Sequence, residues 1–242
     1  MFLKGLRLAV RRTGLFFIML LLTVGPWQAL TNPNTPLPRQ WNPLEPLRVD
    51  DPLTQLTKWK LRRTLANPAL CLEVLGQIAE AQPMADFIKD AQCHIKNRVK
   101  LSRVGGANLA PVETTCSTAL RLALWEKHGV QPAAARHLQK PIAKIRHFSS
   151  YNCRAMRTSA GEIAQMSSHA TADSIDISGF VAKGGTSIDL KRDWGGNTPK
   201  AAFLRDVNES ACIWFRVSLG PRYNSLHADH FHLQGPGWGL CR

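Results

Sequence analysis

A chain of 242 residues, 44% of them apolar, has enough material for one sizeable core, which excludes a wholly disordered protein. The formal net charge of +14 favours anionic partners. Because the basic residues are scattered and no nucleic-acid-binding motif accompanies them, nucleic acid is not an expected partner.

Lys4, Arg7, Arg11 and Arg12 make a basic start, and Gly14 to Val24 is an apolar run. Residues 1–30 therefore read first as a cleaved signal peptide and second as an uncleaved N-terminal anchor. The run falls short of the ~20 apolar residues that a membrane span needs. Without this segment the charge is still about +10, so the expected partner of the exported protein is an anionic envelope polymer. Membrane contact is expected only through the N-terminal segment, if it is retained. Cys71, Cys93, Cys116, Cys153, Cys212 and Cys241 all lie beyond it, with no CxxC pair among them. An even set in an oxidising compartment predicts up to three disulfides, of open pairing.

Residues 31–53 hold six prolines and predict an extended linker. The folded domain is expected over 54–242. A helix is predicted over 68–81, with proline in its first turn, then one or two strands over 93–104. The best amphipathic helix covers 113–128 and is followed by Gly129, a frequent helix stop. Strands follow over 142–152 and 174–181, the latter forming a hairpin with 186–190 across Gly184-Gly185. A helix over 199–210 and strands over 212–217 and 225–233 complete the chain. This mixture, without regular βαβ alternation, predicts an α+β fold with a mainly antiparallel sheet flanked by helices.

Two histidine clusters carry the chemistry. His169 and Asp176 lie in one, and His227, Asp229, His230 and His232 in the other. Residues two apart share a face only on a strand, so His230 and His232 converge if 225–233 is extended, with Asp229, Phe231 and Leu233 turned the other way. His169 and Asp176 differ in parity, so they meet only if His169 sits on a turn before the strand that carries Asp176. Imidazole nitrogens and a carboxylate are zinc donors, and the expected ligands of one Zn2+ are His169, Asp176 and His232, with the fourth position left for water. Zinc acidifies water and polarises a carbonyl, as amide hydrolysis requires. His230 is the first candidate for the accompanying proton transfer, His227 the second and Asp229 the third. His94, His128, His137 and His147 read as ordinary surface or satisfied histidines.

The run Ser167-x-His169-x-x-Ala172-x-Ser174-x-Asp176 resembles the SxHxxGxAxD motif of D-alanyl-D-alanine metallopeptidases. His227-x-x-His230-x-His232 is similar to the second metal motif of penicillin-insensitive murein endopeptidases. With Tyr151-Asn152-Cys153-Arg154, the stretch from about Cys93 to Arg242 resembles the bacterial extensin-like C-terminal domain family. The resemblance implies a hedgehog/D-Ala-D-Ala-peptidase-like fold, zinc on His169, Asp176 and His232, catalytic or stabilising roles for His230 and His227, and substrate binding by Arg154. Two departures stand out. Ala172 and Ser174 replace the motif's glycine and alanine, and Asp229 replaces the dipeptidase-type glutamate, which favours histidine-assisted endopeptidase chemistry. The expected function is an exported, periplasmic or envelope zinc peptidase acting on peptidoglycan peptides or cross-links. The alternative is a catalytically silent, zinc-stabilised domain that binds the wall or a partner.

Overall fold

The computed structural model describes residues 2–35 and 37–242, with side chains from Gly14 onward; the side chains of the basic start lie outside it. In chain order the helices are α1 (Phe2–Thr31), α2 (Thr57–Leu65), α3 (Pro68–Gly76), α4 (Cys116–Trp125), α5 (Gln131–His137), α6 (Leu190–Asp193) and α7 (Pro199–Trp214). The strands are β1 (Ala79–Pro83), β2 (Phe87–Ile88), β3 (His94–Ile95), β4 (Arg98–Val104), β5 (Ala107–Thr115), β6 (Ile142–His147), β7 (Ala155–Thr158), β8 (Gly161–Met166), β9 (Ser174–Ala182), β10 (Ser187–Asp189), β11 (Val217–Leu219), β12 (Phe231–Gln234) and β13 (Leu240–Cys241).

Contacts divide the chain into two compact units, 1–47 with 51–63, and 48–50 with 64–242. In the first, α1 runs on past Val24 through Gly25 and Pro26, so Gly14–Thr31 is long and apolar enough to cross a membrane by length and composition. The shorter run expected from the sequence stopped at that Gly-Pro pair, but Trp27, Ala29 and Leu30 extend it. This helix is compatible with an export signal or an anchor. The proline-rich stretch contains a 3-10 turn at Arg39–Trp41, and Asn42, Leu47 and Val49 are buried, so the residues between its prolines are used for packing.

The second unit is α+β, as expected. Its main sheet has the order β1-β4-β5-β6-β9-β12-β11-β13, with β10 added to β9. The pairings are antiparallel except β5–β6 and β11–β13. The parallel β5–β6 pair follows from the helical crossover between them. Side-chain caps start the helices: Asn67, Thr115 and Thr198 accept the amides of Leu70, Thr118 and Ala201. The core lies between the sheet and α4 and α7. There the Trp125 indole donates to the Val207 carbonyl at 2.9 Å, and Phe180 packs against Trp125 and Phe203.

Several sequence expectations are corrected, and the strand over 142–152 ends at His147. The helix over 68–81 ends at Gly76, because 79–83 pair with β4 and tertiary pairing overrides the local pattern. The helix over 113–128 begins at Cys116, since Glu113 to Thr115 pair with β4. Gly129 does not stop it: the chain passes through a π turn (Glu126–Val130) into α5. A Cβ on Gly129 would lie 2.3 Å from the Ser210 hydroxyl, so that glycine serves the close approach of α7. Cys212 to Trp214 form the last turn of α7, which buries Ala211 and Trp214, and only Val217 to Leu219 are strand. The last strand starts at Phe231, preceded by a 3-10 turn at Ser225–His227.

Candidate metal centre

β9 lies near the middle of the sheet and pairs with β12 in a register that sets Asp176 directly opposite His232. Opposed residues share a face, so these two side chains meet, while Ile175, Ile177, Phe231 and Leu233 are fully buried on the other face. His169 stands on the 3-10 turn Ser168–Thr171 just before β9. Ser167 caps that turn, and Ala172 closes it in the left-handed region at φ 52°. The Ala172 carbonyl receives the hydroxyls of Thr114 and Thr118 at 3.2 and 3.1 Å.

His169 Nε2, His232 Nδ1 and Asp176 Oδ1 converge. Their separations are 3.1 Å between the rings, 3.2 Å from His169 to Asp176 and 2.9 Å from His232 to Asp176. The outer nitrogens fix the tautomers. His169 Nδ1 donates to the Ser150 carbonyl at 2.8 Å, and His232 Nε2 faces Gln234 Oε1 at 3.3 Å. The inner nitrogens are left to face the Asp176 carboxylate, presenting lone pairs when the rings are neutral and N–H donors when they are charged. Two imidazole nitrogens and one carboxylate oxygen at such distances are a zinc-type donor set. The carboxyl of Asp176 is pushed up by burial, but hydrogen bonds from His169 and His232 outweigh this and hold it far below the ordinary carboxylate range.

The remaining expected residues surround this centre. His230 lies just before β12 rather than within it, and its Nε2 is 3.7 Å from Asp176 Oδ1. Because no regular pleat operates there, Asp229 does not simply point away: its carboxylate accepts His230 Nδ1–H at 2.8 Å. His227 packs against His230 at 5.2 Å between ring centroids, and its Nδ1 donates to Asn224 Oδ1 at 2.6 Å. Burial and the neighbouring His230 and His232 push the pKa of His227 down to about 4. The Arg154 guanidinium donates to the adjacent Ala155 carbonyl at 3.1 Å, and its own carbonyl accepts the Ser167 amide, tying it to the start of the His169 turn.

The six cysteines form Cys71–Cys116, Cys93–Cys153 and Cys212–Cys241. Asp90 lies beside Cys93 and Cys153, but a disulfide leaves no thiolate there for a metal. His128 and His137 are satisfied by Val49 O and Asp206, while His147 bonds Ala110 O through Nε2 and leaves its buried Nδ1 without a partner among the described residues.

A family model described as extensin-like protein C-terminus matches residues 69–242. The chain belongs to this family. No curated protein and no solved structure matches the chain. The extensin-like match takes in all six cysteines, both histidine clusters and Arg154, and it starts at Ala69, well before the Cys93 suggested by the motifs. The extensin-like domain thus includes α3 and its disulfide to α4. Sequence reasoning missed Ser150, whose carbonyl orients His169 and whose hydroxyl donates to the Ser174 carbonyl at 2.6 Å. The only signal was its place beside the Tyr151-Asn152-Cys153-Arg154 run. The disulfides and the apolar N-terminal helix are features of an exported protein.

Proposed function

We propose that this protein is an exported zinc-dependent hydrolase of the cell envelope, acting on the peptides or cross-links of peptidoglycan. The observation that carries the reading is the convergence of three zinc-type donor atoms, His169 Nε2, His232 Nδ1 and Asp176 Oδ1, in one place. The likeness of the Ser167–Asp176 run to the D-alanyl-D-alanine metallopeptidase motif supports both the metal and the reaction class. The positive charge of +14 supports an anionic envelope polymer as partner.

His169, Asp176 and His232 would hold the ion, and zinc bound there would supply Lewis-acid activation of water and of a carbonyl. The chain supplies the proton handling. Asp229 accepts a hydrogen bond from His230 Nδ1–H and leaves Nε2 facing the centre, ready to accept or return a proton. Asn224 fixes His227 in the same sense, leaving its Nε2 free. Hydrogen-bonded outer nitrogens keep both rings from rotating, so the proton moves at a defined atom.

A second reading, a zinc-stabilised wall-binding or interaction domain without catalysis, has one observation in its favour. The Asp229 carboxylate, in the place of the dipeptidase-type glutamate, is spent on the far side of His230. Metal analysis of the full chain should return about one zinc per molecule, and His232→Ala should lose it. A protein that refuses zinc overturns both readings. Incubation of the zinc form with isolated peptidoglycan should release new fragments, and His230→Ala should slow release by about 10²-fold or more. Zinc binding without fragments leaves the second reading.

A further inference from the structure

The two histidines beside the metal centre belong to a row of four rings. Phe148 packs edge-on against His230 at 5.7 Å, His230 against His227 at 5.2 Å, and His227 against Tyr223 at 5.5 Å. The inner rings are half-buried, but Phe148 and Tyr223 at the ends are 58% and 43% exposed. Neither outer ring is placed by chance. The Phe148 amide donates to the Asp176 carbonyl at 2.9 Å, so its backbone is tied to that of an expected ligand. The Tyr223 amide closes a turn on the Gly220 carbonyl at 2.9 Å, and the Gly220 amide is held by the Arg242 carbonyl. Two large rings are thus left open to solvent on opposite sides of the proton-handling pair, on backbone that the sheet holds.

An enzyme that trims a chain end needs a counter-charge at that end. Arg154, expected to bind substrate, has one guanidinium nitrogen on the neighbouring Ala155 carbonyl. The two rings that flank the histidine pair are uncharged and flat, which suits a strand that continues in both directions. Aromatic faces take C–H groups of a passing chain without demanding a terminus.

We propose that Phe148 and Tyr223 are substrate-binding residues, one on each side of the reacting bond, and that the site takes an internal segment of a peptide cross-link rather than a chain end. This rests on the hydrolase reading and adds to it the position of the bond and two binding residues. Both rings are exposed, so Phe148→Ala and Tyr223→Ala leave the core intact.

The test uses the zinc-loaded full chain with a purified cross-linked peptidoglycan dimer and with the matching uncross-linked monomer. Each alanine variant should raise KM for the dimer about tenfold, with kcat within about twofold and zinc content unchanged, whereas Tyr223→Phe, which keeps the ring, should recover most of the lost affinity. The products should be two monomers, with no single amino acid released. In parallel, sedimentation of His232→Ala with insoluble peptidoglycan reads binding without turnover, and adding Phe148→Ala or Tyr223→Ala should weaken it. Hydrolysis with KM unchanged in both variants, or release of terminal residues only, overturns the inference while the hydrolase reading stands. Ring-dependent sedimentation with no hydrolysis by the parent overturns the hydrolase reading, and with it the internal bond.

Discussion

Ala172 occupies a backbone position that glycine adopts more readily. At φ 52° an alanine pays about 1 kcal/mol for the left-handed conformation, partly offset because glycine loses more freedom on folding. Ala172→Gly should therefore raise stability by up to about 1 kcal/mol, read as a higher denaturation midpoint, with the His169 turn unchanged. The histidines give a pH dependence. His227 has its pKa lowered to about 4, against about 6.5 in the unfolded chain, so the unfolded state takes up this proton first as pH falls. Its contribution is whole above pH 6.5 and is lost between there and pH 4; the carboxylate of Asp176, also lowered, adds a further loss at more acid pH. The metal-free protein should show a melting temperature that drops from pH 6.5 to pH 4, and His227→Gln should flatten that slope. At this scale the donors were legible because histidines and aspartates in short spacings are rare chemistry. Ser150, Thr114 and Thr118 were not, because hydroxyls are common and these reach the turn from the loop after β6, from β5 and from α4.

Among the elements, β9 deserves the closest reading, because one skipped residue makes the site possible. Its pairing with β6 passes from Gly179 opposite Arg146 to Ile177 opposite His147, leaving Ser178 without a partner. This bulge reverses the side-chain alternation, so Ile175 and Ile177 before it and Phe180 and Ala182 after it are all buried. An unbroken strand would turn Asp176 to the same face as Phe180, into the core. The bulge also draws backbone close at Gly179, where a Cβ would sit 2.4 Å from the Ile188 carbonyl and 2.5 Å from the Arg146 guanidinium. Gly179→Ala should cost about 1–3 kcal/mol in a denaturant titration, and it should lower metal affinity through the displaced β9. The sequence predicted this strand and its hairpin correctly, since alternation and a Gly-Gly turn are local signals. It could not reveal the bulge, which is a property of the pairing. Nor could it separate helix from strand at 79–83 or 212–214, where partners decide between two patterns of similar local merit.

For the whole molecule, three disulfides tie together elements far apart in sequence. Cys71–Cys116 joins α3 to α4, Cys93–Cys153 fixes the segment that leads into the His169 turn, and Cys212–Cys241 holds the end of α7 to β13. Each closes a loop of tens of residues, so replacing one pair by serines should cost about 2–5 kcal/mol, measured as a fall in unfolding free energy. The Cys93–Cys153 pair should also loosen the site, read as weaker metal retention at equal overall stability loss. The sequence disclosed an upper limit of three crosslinks through the even count and the apolar N-terminal run, but their pairing is a matter of three-dimensional neighbourhood. The opposition of Asp176 and His232 has a wider meaning for this sheet. Two of the three converging donors come from facing positions on strands that lie 56 residues apart in the chain, and a slip of one residue would send His232 to the far face. The donor set is complete only in the native alignment, so the zinc ion proposed there would work as a proofreader: it would reward the one strand alignment that makes the fold and leave every shifted alignment without that reward.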